Sequence, residues 1–174
     1  RINLSAVKSA LEKFNLVPGR LEKVSSAAIP FSVFVDYAHT QDALENVMKA
    51  LRQLSKNRLI VVFGCGGERD KTKRPKMGRT VSRLADYAII TNDNPRSEDP
   101  RKIIDEIKKG ISKNNYSVIP ERISAIRKSL EMAGRGDIVL VAGKGHEDYQ
   151  ILKDRTIHFD DREAVRECLK SMSC

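Results

Sequence analysis

Tryptophan is absent from the 174 residues, and aromatic side chains of all kinds make up only 5%. So few rings argue against a base-stacking platform for single-stranded nucleic acid. Long apolar runs are missing as well. The longest, Leu59–Phe63 and Ile138–Ala142, are five residues each, far short of the ~20 that a membrane-crossing helix needs. No apolar signal-peptide stretch follows the N-terminus. Cysteine is scarce and odd in number: Cys65, Cys168 and Cys174 have no Cys-x-x-Cys spacing. They read as reduced thiols of a cytoplasmic protein, with neither a disulfide framework nor a zinc site. Repeats, low-complexity segments and a phosphate loop ending in Gly-Lys-Ser/Thr are also lacking. The chain opens at Arg1, directly inside a helical pattern, and reads as a piece of something longer.

What is present suits one ordinary domain with a real core: 40% of residues are hydrophobic and 32% charged. The net charge of +9 would serve nucleic acid, but equally nucleotides and carboxylate metabolites.

Apolar spacing predicts the elements. Asn3 caps a helix carrying Leu4, Val7, Leu11 and Phe14, which ends before the turn Val17-Pro18-Gly19-Arg20, a plausible domain seam. Strands follow at Leu21–Val24 and Ser32–Val35. Thr40 then caps a helix whose stripe is Ala43, Leu44, Val47, Met48, Leu51 and Leu54. Leu59–Phe63 reads as a strand buried on both faces. Pro75 starts a helix to about Ala85, and Tyr87–Thr91 is the next strand. Asp99-Pro100 opens a helix bearing Ile103, Ile104, Ile107 and Ile111, and Glu121–Ala133 forms another, closed by Gly134. Ile138–Ala142 is a strand, and Gln150–Leu152 pairs with Thr156–Phe159. Asp160 and Glu163 form a capping box ahead of Ala164, Val165, Cys168, Leu169 and Met172. Met48 and Met172 are read as core, and Arg122, Arg127 and Lys128 as solvated helix faces. Strands alternating with helices predict an α/β fold, a mostly parallel sheet with helices on both faces.

Ligands of such sheets bind beyond the carboxyl ends of the strands, which is where the unusual residues fall. Asp36-Tyr37-Ala38-His39 offers a carboxylate for ribose hydroxyls and an imidazole, or only a helix-capping Asp. Gly64-Cys65-Gly66-Gly67-Glu68-Arg69-Asp70-Lys71, with Lys73 and Arg74, combines permissive backbone and positive charge, or is a mobile basic loop. Asn92-Asp93-Asn94-Pro95-Arg96 sets acceptors beside a guanidinium, a combination suited to a zwitterion, or is a turn and cap. Gly143-Lys144-Gly145-His146-Glu147-Asp148 brings a cation, an imidazole and two carboxylates, or is a polar tight turn.

Taken together these loops closely resemble the C-terminal part of the Mur ligases, in the family's order and over nearly the whole chain. The matching text is Val17–Arg20, Asp36–Thr40, Gly64–Lys71 with Lys73–Pro75, Asp93–Arg96 and Gly143–Gln150. The nearest likeness is to the branch that adds meso-diaminopimelate to the peptidoglycan precursor. Gln41 stands where the family usually has Pro, and Glu68 where it usually has Asp. The resemblance implies a three-layer, dinucleotide-binding-like domain at residues 20–174, preceded at 1–19 by the tail of an ATP-binding central domain. It implies an ATP-dependent amide ligase working through an acyl phosphate, with Mg2+ bound mostly by the central domain. Its partners would be meso-diaminopimelate, ATP, the UDP-N-acetylmuramoyl dipeptide and the protein's own N-terminal and central domains. By resemblance, Arg69, Asp93, Asn94, Pro95, Arg96, Gly143 and Glu147 hold diaminopimelate, with Arg96 on the side-chain carboxylate. Arg20, Asp36 and His39 face ATP. No residue here is assigned a catalytic or metal-binding role, and without the P-loop half the chain alone should not turn over.

Three other functions compete. A lysine-adding or folylpolyglutamate-type ligase keeps the fold and changes the acceptor; Arg96 opposes the lysine reading, since lysine has no distal carboxylate to meet it. A basic nucleic-acid module predicts steep salt dependence. A purely structural domain leaves four polar loops at one sheet edge unexplained.

Overall fold

The computed structural model describes residues 3–12, 17–24 and 29–172. Six strands form the main sheet in the order β1-β2-β6-β3-β4-β5. They are β1 (Glu22–Lys23), β2 (Ser32–Asp36), β3 (Leu59–Phe63), β4 (Tyr87–Ile90), β5 (Tyr116–Val118) and β6 (Ile138–Ala142). All neighbours run parallel except β1, which pairs antiparallel with β2. Strands β3 and β6 are buried at every position, as expected of inner strands covered on both faces.

Helices α2 (Gln41–Leu54), α3 (Lys73–Leu84) and α4 (Pro100–Lys108) cover one face. Their Leu44, Met48, Leu51, Met77, Val81, Ile103 and Ile107 pack on Leu59, Val61, Phe63, Ile90 and Leu140. The alternate residues Ile60, Val62, Val139 and Val141 face α5 (Arg122–Met132) and α6 (Asp161–Met172), through Ala125, Ile126, Leu130, Val165 and Cys168. Two-residue periodicity in the strands thus feeds two cores, and the domain is a three-layer α/β/α sandwich. The hairpin β7 (Tyr149–Ile151) and β8 (Thr156–His158) lies outside the sheet. Helix α1 (Leu4–Glu12) is capped by Asn3, whose Oδ1 accepts from the Ser5 amide at 3.0 Å. Phe14 lies outside the described residues, as does the side chain of Leu11.

Several expectations are corrected. Arg122 is fully buried and ion-paired with Asp161, not solvated. Leu54 and Met172 end their helices at 63% and 44% exposure, past the edge of the core that their stripes enter. Helix α3 begins at Lys73, two residues before Pro75; Pro75 still falls in the first turn, where an amide has no helical partner. Strand β5, short, partly exposed and at the sheet edge, was not expected. The left-handed residue after α5 is Gly136 (φ 79°), not Gly134. Asp160 accepts from the amides of Arg162 and Glu163, but Glu163 turns its carboxylate to His158 instead of completing the box.

Candidate functional site

The parallel register brings the carboxyl ends of β2, β3, β4 and β6 to one edge. There a cavity of about 280 Å³ is lined by Arg69, Asp93, Asn94, Arg96, Gly143 and Glu147, with Tyr37, His39, Lys73 and Tyr149 around them. Six of the seven residues assigned to diaminopimelate therefore share one cavity. The seventh, Pro95, is buried behind it beside Gly67.

Several elements hold the 93–96 turn. The Gly67 amide donates to the Asn94 carbonyl at 2.9 Å, and the Arg96 amide to Ile151 of β7 at 3.1 Å. From β7 again, Gln150 Nε2 donates to the Asp93 carbonyl at 2.7 Å. Arg96 adopts a left-handed backbone (φ 54°), uncommon for a side chain of its size. Its Nη1 donates to Gly67 O at 2.8 Å. Nε and Nη2 have no partner among the described residues, which leaves a fork for an anion.

Opposite it stands a polar knot. Asn94 Nδ2 donates to Glu147 Oε2 at 2.9 Å, while Asn94 Oδ1 accepts from Lys144 Nζ at 3.0 Å and the Ile151 amide at 3.0 Å. Lys144 is fully buried, so it is a strut under the cavity, not part of its wall; burial pulls its pKa down. Glu147 accepts from Lys144 through the same Oε2 at 3.4 Å, and Oε1 has no partner among the described residues. The Tyr149 phenol is shifted up, chiefly by the Glu147 charge. At Gly143 the backbone φ of 122° favours glycine, and a Cβ there would also lie 2.6 Å from Asp93 Oδ2 and displace that carboxylate. The cavity therefore opposes cations (Arg69, Arg96, Lys73) to carboxylates (Asp93, Glu147), an arrangement for a ligand with both signs of charge.

Of the three residues assigned to ATP, only His39 borders this cavity. Asp36 is occupied structurally: Oδ2 accepts from the Leu21 amide at 2.7 Å and Oδ1 from Ala38 at 2.8 Å. Arg20 lies over the Tyr37 ring at 4.8 Å, and Tyr37 neighbours His39 and His146 at centroid distances of 4.6 and 5.2 Å. Not all the charge of the glycine-rich loop faces the site. Arg74 is buried and bridges Glu98 (3.0 Å), Glu106 (2.7 Å) and Gly66 O (3.2 Å), and Lys71 also pairs with Glu98.

The sequence profile described as "Mur ligase, glutamate ligase domain" matches residues 19–145. The chain belongs to this family. Over 172 residues it is 54% identical to a UDP-N-acetylmuramoyl-L-alanyl-D-glutamate–2,6-diaminopimelate ligase of Clostridium botulinum, covering 98% of this chain and 36% of that protein. A Nostoc ligase of the same name is 54% identical over 170 residues, 97% of this chain and 34% of that one. A solved structure of a ligase so named superposes with a TM-score of 0.83 at 40% identity, covering 99% of this chain and 36% of that one. The Mur ligase domain thus spans about a third of the length of these relatives. A Mycobacterium tuberculosis folylpolyglutamate synthase complexed with ADP and AMPPCP shares the fold, with a TM-score of 0.65 at 18% identity over 82% of this chain and 33% of that one. Among the described residues no helix is long and apolar enough to cross a membrane.

Proposed function

We propose that this chain is the amino-acid-recognising domain of an ATP-dependent ligase that adds meso-diaminopimelate to UDP-N-acetylmuramoyl-L-alanyl-D-glutamate in peptidoglycan synthesis. The observation that carries the reading is the bipolar cavity, with a half-free guanidinium at Arg96 and carboxylates at Asp93 and Glu147. A substrate with a carboxylate and an ammonium on its distal carbon satisfies both sides. Arg96 and Arg69 take the carboxylate, while Glu147 and Asp93 meet the ammonium; Asn94 holds Glu147 in place through its Nδ2, Gly143 shapes the wall, and Pro95 backs the turn that carries Arg96. Lysine would leave the Arg96 fork unpaired, a loss of about 1.5–3 kcal/mol for a hydrogen bond to a charged group. The names of the relatives favour the same substrate. The folylpolyglutamate synthases, at 18% identity, share only the fold.

In the reaction ATP phosphorylates the acceptor carboxylate, and the diaminopimelate amine attacks the acyl phosphate and expels phosphate. This domain contributes position and charge compensation. Arg20, Asp36 and His39 face the nucleotide; Asp36 reaches the ribose with lone pairs that the Leu21 and Ala38 amides leave over. Residues 1–19 belong with the preceding ATP-binding domain and 20–174 with this one, the seam lying where the 17–20 turn rests on Gly145. The Mg2+ ion that such a ligase uses would be held mostly by the central domain, as the family resemblance implies.

The test is ATP-dependent phosphate release by the full-length protein with the UDP-muramoyl dipeptide, comparing meso-diaminopimelate and lysine. Release with diaminopimelate alone is expected. Preference for lysine overturns the Arg96 assignment, and silence with both, from protein that still binds ATP, overturns the acceptor.

A further inference from the structure

We infer that the buried Arg122–Asp161 pair is a positioning device that sets the spacing of the two loops forming the amino-acid site; the inference rests on the function proposed above. Arg122 opens α5 and Asp161 opens α6, and both side chains are fully buried. The guanidinium meets the carboxylate at two points, Nε to Oδ1 at 2.7 Å and Nη2 to Oδ2 at 2.8 Å. Its remaining donors reach backbone. Nη1 donates to Asn92 O at 3.2 Å and Nη2 to Ala142 O at 3.1 Å.

Those carbonyls immediately precede Asp93 and Gly143, where the cavity begins. They belong to chain leaving β4 and β6, which are not neighbours, since β3 lies between them. Sheet hydrogen bonds therefore do not fix the distance between the two loops directly; the planar fork of Arg122 ties their first carbonyls together from beneath, while Asn94 links them further along through Lys144 and Glu147. The two loops meet at this point: the Asp93 carboxylate and the Arg122 guanidinium both lie against Gly143, whose Cβ would stand 2.6 Å from Asp93 Oδ2 and 3.9 Å from Arg122 Nη2. An apolar pair of similar size would fill the space and is often as stable as a buried ion pair, but it could hold neither carbonyl. Lysine would keep the charge and lose the fork.

The test uses the full-length protein with Arg122→Lys and the double variant Arg122→Met/Asp161→Leu. Two readouts are taken: KM for meso-diaminopimelate against KM for ATP, and amide hydrogen exchange along the domain. A tenfold or greater rise in the diaminopimelate KM is expected, with the ATP KM within twofold. Exchange should quicken at least tenfold in 92–96 and 143–147 and stay unchanged in 64–71. Wild-type exchange in both loops, or an even rise across the whole domain, overturns the inference. If the wild-type protein proves silent toward diaminopimelate, the proposed function fails, while the exchange pattern still decides the clamp. If the double variant does not fold, Arg122→Lys carries both readouts.

Discussion

At Arg96, backbone and side chain are set for different tasks. The left-handed backbone turns the residue back toward the cavity, and Nη1 is tied to Gly67 O at 2.8 Å, so half of the guanidinium is fixed before any ligand arrives. Pre-organisation of this kind lowers the cost of binding a planar anion. Arg96→Lys keeps the charge and loses the fork. In the full-length protein kcat/KM for diaminopimelate should fall roughly tenfold to a hundredfold, the equivalent of the 1.5–3 kcal/mol carried by a charged hydrogen bond. The ATP KM should stay within about twofold, and an unchanged preference over lysine would remove Arg96 from recognition. Cys65 illustrates the opposite case, a residue close to the site but not of it. Burial drives its thiol pKa up to about 12, and its Sγ packs against Met77 Sδ at 3.4 Å, so it serves as core.

Between elements, the decisive contact is backbone against backbone. In the turn before β1, the Arg20 amide donates to Val17 O at 3.1 Å. The turn rests on the loop after β6 so tightly that a Cβ on Gly19 would lie 2.1 Å from the His146 amide nitrogen. Gly145 is the other half of the contact: at φ 55°, a Cβ would stand 2.7 Å from both Gly19 O and Tyr37 Cβ. This packing carries Arg20 onto the Tyr37 ring and sets His146 beside it. Gly145→Ala should therefore destabilise the domain by roughly 1–3 kcal/mol, from a strained backbone and a steric clash together. Urea unfolding measures the loss. A midpoint equal to wild type would mean that the turn yields freely and does not hold the loop.

Across the whole molecule, the charge excess conceals a set of arginine-bound carboxylates that make stability depend on acid. The hydrogen bond from Arg74, joined by the Glu68 amide and Lys71, holds Glu98 down to about 2, against an ordinary 4.5. Burial opposes ionisation of Asp137 and Asp160, yet Arg58 and Arg162 outweigh it and hold both below the usual carboxylate value. A folded pKa below the unfolded one stabilises above the unfolded value, and that contribution disappears as protons bind. Stability should therefore hold from neutrality to about pH 5 and fall toward pH 2. Glu98→Gln should be less stable at pH 7 but lose less between pH 5 and pH 2. Urea midpoints at pH 7, 5 and 3 test this, and equal acid losses in the two proteins would reject the Arg74–Glu98 contribution.

Local pattern was enough to determine the layered fold. Five-residue apolar runs specify inner strands, 3.6-residue stripes specify their helices, and the unusual polar residues fall in the loops after strands, which the parallel sheet brings to one edge. Six of the residues assigned to diaminopimelate do line one cavity. Some of the rest was legible but read too simply. Arg122 precedes Ala125, Ile126 and Ser129 at helical spacing, and Arg74 stands in the same relation to Met77, Gly78 and Val81, so each occupies its helix's buried stripe. Asp161 does so ahead of Ala164, Val165 and Cys168. A charge on a buried stripe predicts a buried partner, but not which one. Only the tertiary structure decided that Arg122 meets Asp161, 39 residues away in sequence, and that Lys144 lies beneath the cavity while Arg96 opens into it. Helix and strand periodicity depends on neighbours a few residues apart, which the sequence displays. Ion pairs and loop contacts depend on distances in space, which exist only once the sheet has brought the strand ends together.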